Sequence, residues 1–268
     1  MERIGLIAGS GNFPAVFAGE AKKKGTRVIA FCIKDITDPD FSKYVYRTHW
    51  VDAARFQIQK FLFLLMAERI KKIVMVGKVD KTLVFNRFRS NKGVDAVIKS
   101  SKDGRDYSLL EDITKRFEKI GIKVVDGMEY LKDLLPDRGV LTKRHPSDAE
   151  ERDVEFGMRI AKEIARLDIG QTVTVKDKAI VTVEAMEGTD KAIARAFDLV
   201  GEDYSVVKVA RPRQDMRWDV PLVGPETIEA MIEHKARVLA IEAKKMFLVE
   251  KDKAIARADL HNITVVVL

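Results

Sequence analysis

The sequence predicts an α/β protein made of two successive units, each a set of short apolar strands alternating with helices. Three observations carry this. Ile4-Gly5-Leu6-Ile7-Ala8 is apolar without alternation, as a strand buried on both faces of a parallel sheet is, and it runs through Gly9-Ser10-Gly11-Asn12-Phe13-Pro14 into the helical pattern Ala15–Lys24. Strand-length apolar runs recur at Val28–Cys32, Ile73–Val76 and Ile122–Val125, separated by helical stretches. The alternation breaks at Leu134-Leu135-Pro136-Asp137-Arg138-Gly139, where Pro and Gly with charges between them fit an interdomain linker, and then begins again. The expected division is 1–133, a linker at 134–140, and 141–268.

In the first unit Gly25 fits the cap that ends the Ala15–Lys24 helix. Ala53–Lys71 reads as a long helix, Asp103-Gly104 as a turn and Ser108–Ile120 as an amphipathic helix. The stretch Phe61-Leu62-Phe63-Leu64-Leu65-Met66 is far short of the roughly 20 residues a membrane span needs, so it is expected to be a buried core helix. Lys78 and Asp80, after the third run, read as a solvated loop. The turn Gly9-Ser10-Gly11 sits at the carboxyl end of the first strand, where N–H groups at a helix start suit a phosphate. It lacks the third glycine of the dinucleotide fingerprint, and a tight turn would also account for both glycines. Both readings stay open on the residues alone.

In the second unit Ser147 and Glu150 form a capping-box pattern that opens a helix to about Arg166, with Val154, Met158, Ile160 and Ile164 on its inner side. Thr172–Val175 and Ile180–Glu184 read as strands joined by Lys176-Asp177-Lys178, and the sheet they enter is expected to be mixed. A helix at Lys191–Leu199, a strand at Ser205–Ala210 and a helix at Glu226–His234 with Pro225 in its first turn follow. Val238–Ala243, Phe247–Val249, a helix at Asp252–His261 and the strand Ile263–Leu268 complete the chain. An exposed Ile-Thr-Val-Val-Val-Leu strand would invite aggregation, so it is expected inside the sheet.

Composition narrows the function. The 268 residues are 46% hydrophobic and 33% charged, with a formal net charge of +7. That excess suits a polyanionic small substrate, an anionic membrane surface or nucleic acid, or it reflects a Lys- and Glu-rich surface of the heat-stable kind. No long basic block favours nucleic acid, which is not expected as a partner. Cys32 is the single cysteine, so no intrachain disulfide forms and a reducing cytoplasm is expected; Met1-Glu2-Arg3 leads directly into a strand without a signal-peptide pattern. There is no G-x-x-x-x-G-K-[ST], H-E-x-x-H or G-x-S-x-G, and His49, His145, His234 and His261 lack ligand spacing and read as surface or cap residues. What remains is carboxylates, cations and glycine turns, the equipment for Mg²⁺ and phosphoryl oxygens.

Two stretches concentrate that equipment. One carries Lys208, Arg211, Arg213, Gln214, Asp215, Arg217 and Asp219 between a strand and a helix, closed by Pro221 and Gly224-Pro225. The other, Glu184-Ala185-Met186-Glu187-Gly188-Thr189-Asp190, brings two acids around a glycine and a threonine at a strand-to-helix junction. Thr189 or Asp190 could be an N-cap, which leaves Glu187 and Gly188 unexplained.

Ile7-Ala8-Gly9-Ser10-Gly11, Asp168-Ile169-Gly170-Gln171, Glu184–Asp190, and Val207-Lys208 through Gln214-Asp215, Arg217, Asp219, Pro221, Gly224-Pro225 and Thr227 together resemble the LpxI family, over essentially the whole chain. Arg213 stands where many members have glycine, and Trp218 where Phe or Val is usual. The resemblance implies a Rossmann-like N-terminal domain, a second domain of its own type, and a Mg²⁺-dependent hydrolase, with Mn²⁺ as the other candidate ion. Such an enzyme cuts UDP-2,3-diacylglucosamine to UMP and 2,3-diacylglucosamine 1-phosphate in lipid A biosynthesis. It further implies an essential aspartate, best matched by Asp215, with Asp219 close enough to share the role. On this reading Asp215, Asp219 and Asp190 are the catalytic candidates, and Asp215, Asp219 and Glu187 the metal candidates. Gly9, Ser10, Gly11, Gln171, Gly188, Thr189, Lys208, Gln214 and Arg217 are the substrate-binding candidates. The partner is a UDP-linked glycolipid, contact with the inner membrane is compatible with the charge, and oligomeric state is left open.

Two rivals come from other classes. A dinucleotide-dependent oxidoreductase would use the glycine turn, but lacks the third glycine and an acid at the end of the second strand, where Cys32-Ile33-Lys34 stands. A noncatalytic nucleotide- or nucleic-acid-binding module would bind oligonucleotides in a salt-dependent way and consume no UDP-sugar lipid.

Overall fold

The computed structural model describes residues 2–52, 55–77, 114–212, 214–217 and 219–268. Lys78, Asp80, the Asp103-Gly104 turn, the start of the Ser108–Ile120 helix, Arg213 and Trp218 lie outside the described residues. The chain forms two compact units, one within residues 2–131 that also takes in residues 215–217, and one made of Lys132–Gln214 with Asp219–Leu268.

The first unit holds β1 (Arg3–Ala8), α1 (Phe13–Lys23), β2 (Arg27–Ile33), β3 (Arg47–Val51), α2 (Ile58–Ala67), β4 (Lys72–Val76), β5 (Lys123–Val124) and α3 (Met128–Leu131). Its five strands are all parallel, in the order β3-β2-β1-β4-β5. The order reverses between β1 and β4, and in such sheets ligands bind outside the carboxyl ends of the strands at that point. Ile4, Leu6 and Ala8 of β1 are fully buried, and α1 adds Phe17, Ala18 and Ala21. Burying Phe17 contributes roughly 2–3 kcal/mol. Helix α1 ends at Lys24 as C-cap, and Gly25 follows with φ +75, a left-handed position that glycine takes without penalty.

Two expectations change here. β3 was not foreseen: Arg-Thr-His-Trp-Val is an edge strand with half-exposed positions, and it carries no apolar run to read. Helix α2 spans Ile58–Ala67, shorter than the expected Ala53–Lys71, whose first residue lies outside the described ones, and buries Phe61 and Leu65 while Phe63 and Met66 stay 73% and 63% exposed. It is a core helix along one side only.

The second unit holds β6 (Gly139–Val140), α4 (Asp148–Arg166), β7 (Thr172–Lys176), β8 (Ala179–Val183), α5 (Thr189–Val200), β9 (Ser205–Lys208), β10 (Leu222–Val223), α6 (Pro225–Glu233), β11 (Val238–Ile241), β12 (Phe247–Leu248), α7 (Lys251–Leu260) and β13 (Thr264–Val267). Six strands make a mixed sheet in the order β6-β13-β11-β9-β7-β8. β9, β11 and β13 are parallel, whereas β7 runs antiparallel to β9 and β8, and β6 antiparallel to β13. β10 and β12 form a separate parallel pair. The last strand lies inside the sheet with all its residues buried, as aggregation avoidance requires. Gly139 and Val140, assigned to the linker from sequence, pair with Val267 and Val266.

Alternate residues of each strand feed two cores. Val173, Val175, Val207 and Ala240 face α4 through Val154, Met158 and Ala161, while Val206, Leu239, Ile241 and Val265 face α5, α6 and α7 through Ile193, Met231 and Ala258. Helix α4 sits close because position 157 is glycine: a Cβ there would lie 2.7 Å from Val207 and 2.8 Å from Val175. Its stripe runs through Val154, Gly157, Met158, Ala161 and Ala165, leaving Ile160 and Ile164 half-buried. The capping box forms: the Ser147 N–H donates to Glu150 Oε2 at 2.8 Å, and the Glu150 N–H donates to Ser147 Oγ at 3.4 Å. Since β7 is antiparallel to its neighbours, its first residues lie where β8 and β9 end, which brings three sequence segments to one end of the sheet.

Candidate active site

Lys208, the last residue of β9, is buried. Its ammonium donates to Thr189 Oγ1 at 3.0 Å and to the Leu222 carbonyl at 3.1 Å. Thr189 Oγ1 in turn donates to Glu184 Oε1 at 3.1 Å, so the 3.4 Å contact with Thr172 Oγ1 takes its proton from Thr172. Glu184 is 7% exposed, and among the described residues its Oε2 accepts no hydrogen bond; Gln171 Oε1 and Arg211 Nε are also buried and unpaired. Each unmade bond costs about 1–3 kcal/mol. Three such atoms stand at one end of one sheet, just beyond the ends of β8 and β9 and before β7. The backbone there is tight: Gln171 O accepts from the Val209 N–H, Thr172 O accepts from the Glu184 N–H, and a Cβ at Gly170 would overlap Glu184 O.

The start of α5 completes this cluster. Gly188 is its N-cap with φ +85, no side chain caps it, and Thr189 is the first helical residue. Neither Thr189 nor Asp190 is the cap, and Asp190 is exposed in the first turn, where an acid suits the helix dipole. The first-turn N–H groups therefore stand beside the Lys208 ammonium, an arrangement suited to phosphate oxygens. Glu187 closes the preceding turn by accepting from the Ala185 N–H at 3.0 Å and from Arg195 at 2.7 Å. Backbone N–H donors, its own first, together with Arg195 hold its carboxyl below the ordinary range despite a counter-effect of burial.

The charged loop after β9 is internally braced. Gln214 Oε1 accepts from the Arg211 N–H at 2.7 Å, and its Nε2 donates to the Asp219 carbonyl at 3.1 Å. Both oxygens of Asp215 accept from Arg217, whose Nη2 lies 2.7 Å from Oδ2 and whose backbone N–H lies 3.0 Å from Oδ1. The Arg217 side chain and backbone N–H outweigh burial and hold the Asp215 carboxyl below its usual value. Arg211 lies 3.2 Å from Asp168 and 3.8 Å from Asp219. Behind the loop, buried Glu242 accepts from the Ala210 N–H at 2.9 Å and pairs with Lys162 and Lys245.

Glu184, Thr172, Arg211, Asp168 and Glu242 were not singled out as site residues from sequence. The signal that would have found them is shared: each lies at or within a few residues of the strand ends that meet at this edge.

Among the described residues no group of three or more His, Cys, Asp or Glu side chains gathers to hold a metal ion. Mg²⁺ asks for less, one or two carboxylates with water and phosphate oxygens completing its shell. The Asp215 and Asp219 side chains, 28% and 35% exposed, each carry hard oxygen donors of that kind. Glu187 is held in its own turn by Arg195.

In the first unit the Gly9 N–H donates to Val76 O at 2.8 Å, tying the glycine turn to the end of β4. Gly77 has φ +104, and a Cβ on it would stand 2.9 Å from Gly9 C, Ser10 O and Pro14 Cγ, so the turn rests on bare backbone. Gly11 has φ +85 with open space around it. A depression of about 490 Å³ beyond β2 is lined by Lys34, Asp35, Thr37, Asp38 and Trp50. β2 ends at Ile33, so an acid, Asp35, does follow it closely; that argument against a dinucleotide falls, while the missing third glycine stands.

Residues 3–134 match the family model described as the LpxI N-terminal domain, and residues 137–266 the one described as the LpxI C-terminal domain. A relative from Caulobacter vibrioides named UDP-2,3-diacylglucosamine pyrophosphatase LpxI is 28% identical over 270 residues, covering 97% of this chain and 95% of its own. Among solved structures, a UDP-glucose-4-epimerase from Stenotrophomonas maltophila is 13% identical, with coverage of 46% of this chain and 35% of that one and a TM-score of 0.28. A biotin carboxylase from Campylobacter jejuni is also 13% identical, with coverage of 73% and 41% and a TM-score of 0.29. The chain spans less than half the length of either structure, and likeness at that level carries no argument. With the two domain models matched in order along almost its whole length, the chain belongs to the LpxI family.

Proposed function

We infer that the chain hydrolyses the pyrophosphate of UDP-2,3-diacylglucosamine, releasing UMP and 2,3-diacylglucosamine 1-phosphate, a step in lipid A biosynthesis. The relative's printed name and both domain matches support this. The observation that carries it in physical terms is the buried Lys208 ammonium beside the uncapped start of α5. A cation and a row of N–H groups held in a poorly hydrated site are worth most against charge that grows on phosphate oxygens during bond breaking.

In this reading Lys208, with the N–H groups at Gly188 and Thr189, binds the pyrophosphate, and Gln171 and Arg217 supply further polar contacts. Gln214 keeps the Arg211–Asp219 loop in shape. Mg²⁺ or Mn²⁺ would be held by Asp215 and Asp219 and would supply neutralisation of the phosphate oxygens. Asp190, at the first turn of α5, is assigned a supporting role near the reacting group, and the Gly9-Ser10-Gly11 turn takes the nucleotide end. No helix among the described residues is long and apolar enough to cross a membrane. Two acyl chains on the substrate and the net charge of +7 support peripheral contact with the cytoplasmic face of the inner membrane.

The test is a thin-layer assay of the purified full chain with UDP-2,3-diacylglucosamine, with Mg²⁺, with Mn²⁺, and with chelator. UMP released only with metal is the expected outcome. No cleavage under any metal would overturn the activity, and cleavage undiminished by chelator would overturn the metal assignment alone.

A further inference from the structure

The acids of the two charged stretches and of the nearby strand ends are not equivalent. Asp215 has both oxygens on Arg217, and Glu187 has one on the Ala185 N–H and one on Arg195. Glu242 has one on the Ala210 N–H and the other between Lys162 and Lys245. Glu184 alone of these four keeps a buried oxygen, Oε2, without a hydrogen bond among the described residues, while its Oε1 is held by Thr189. The hydroxyl that holds it is the one to which the Lys208 ammonium donates. A phosphate-binding cation and a carboxylate with a free lone pair are thus anchored on a single side chain, at a helix start whose N–H groups suit the same phosphate.

We propose that Glu184 is the general base of the hydrolysis. This rests on the pyrophosphatase reading above. Oε2 accepts a hydrogen bond from the attacking water, the lone requirement its surroundings leave unmet. The water oxygen forms a bond to one of the two phosphorus atoms as the bridging P–O bond on that phosphorus breaks. The bridging oxygen departs with the other phosphate and keeps the bonding electron pair, and one water proton passes to Glu184 Oε2. The Thr189 hydroxyl fixes the plane of the carboxylate so that its free lone pair stays aimed while Lys208 and the α5 N–H groups hold the phosphate. A carboxylate whose oxygens are both committed to an arginine, as in Asp215, has less capacity for this task.

The experiment compares wild type with Glu184→Gln in steady-state hydrolysis of UDP-2,3-diacylglucosamine. Glutamine keeps the shape and an acceptor oxygen but takes no proton. The proposal expects kcat to fall by about 10²–10⁴-fold, the usual range for a positioned base, with KM within about threefold. A fall of less than about 50-fold, or a rise in KM at unchanged kcat, would overturn it, the latter marking Oε2 as an acceptor for a substrate hydroxyl. If the glutamine variant does not fold, Glu184→Asp retains the charge and withdraws the carboxylate. A comparable loss of kcat with UMP affinity retained in calorimetry supports the base, and full turnover removes it. Wild-type release of UMP in the same assay separates the outcomes: an active wild type beside an active glutamine variant sinks this inference alone, and an inactive wild type sinks the activity itself.

Discussion

The Lys208 ammonium and the Thr189 hydroxyl lie 3.0 Å apart, although a helix and a turn separate them in sequence. The contact joins the end of β9 to the first residue of α5, and it is the point on which the proposed phosphate site turns. Replacing Lys208 by Met removes the cation while keeping much of the buried stem. We expect kcat/KM for UDP-2,3-diacylglucosamine to fall by about 10²-fold or more. Thermal stability should fall as well, because the Leu222 carbonyl and the Thr189 hydroxyl lose their buried donor, at about 1–3 kcal/mol for each group left unsatisfied. Initial rates and a thermal melt check both parts, and a variant with near wild-type rates would remove Lys208 from the site.

Gly170→Ala should be severely destabilising. The new Cβ would overlap Glu184 O, which is backbone and cannot swing aside. Gly77→Ala strains a left-handed residue and presses on Gly9, Ser10 and Pro14 together. Losses of about 1–3 kcal/mol are expected for Gly77→Ala and more for Gly170→Ala. Urea denaturation measures both; a Gly170→Ala protein with an unchanged midpoint would contradict the geometry at that end of the sheet.

Acid should weaken the first unit through Glu68. Burial pushes this carboxyl up, but hydrogen bonds from Arg47 and His49, at 2.7 and 2.9 Å, outweigh it, and the result lies below the ordinary range. A folded value below the unfolded one means the contribution is complete above the unfolded glutamate value near ~4.3 and is lost as pH falls through the folded value. Glu68→Gln should therefore cost about 1–3 kcal/mol near neutrality, with the gap to wild type closing below about pH 4. Urea midpoints at pH 7 and pH 3.5 give the comparison, and an equal gap at both would refute it.

Cys32 should be inert in the folded protein. It is fully buried in β2, and burial pushes its thiol pKa up to about 12. A thiol kept neutral and out of reach does not attack a disulfide reagent. Reaction with Ellman's reagent should require denaturant; rapid labelling of native protein would contradict the placement of β2.

Much of the fold was legible because the inner strands are uninterrupted apolar runs. β1, β2, β4, β9, β11 and β13 announce themselves through Val, Ile, Leu and Ala, and Ser147 with Glu150 marks the start of α4 through a two-way hydrogen-bonded cap. β3, β6 and β10 were missed, since an edge strand such as Arg47–Val51 or a two-residue strand such as Gly139–Val140 has no periodic signal. At the site, the charged loop and the Glu184–Asp190 turn were visible as costly groupings of charge. Their partners were not: Arg217 on Asp215 and Arg195 on Glu187 depend on side-chain directions, and the convergence of Gln171 and Thr172 with Glu184 depends on β7 running antiparallel to β9. Glu184 lies inside the Glu184–Asp190 turn with nothing in the sequence to set it apart, because an unpaired buried oxygen is a property of packing and leaves no mark in composition.

The most direct test of the central claim is a phosphorus NMR time course of the full chain with UDP-2,3-diacylglucosamine and Mg²⁺. The account predicts that the two pyrophosphate signals decay together while two phosphomonoester signals, those of UMP and 2,3-diacylglucosamine 1-phosphate, grow in equal amounts. Persistence of the pyrophosphate signals, or growth of products that are not this equal pair, would contradict it.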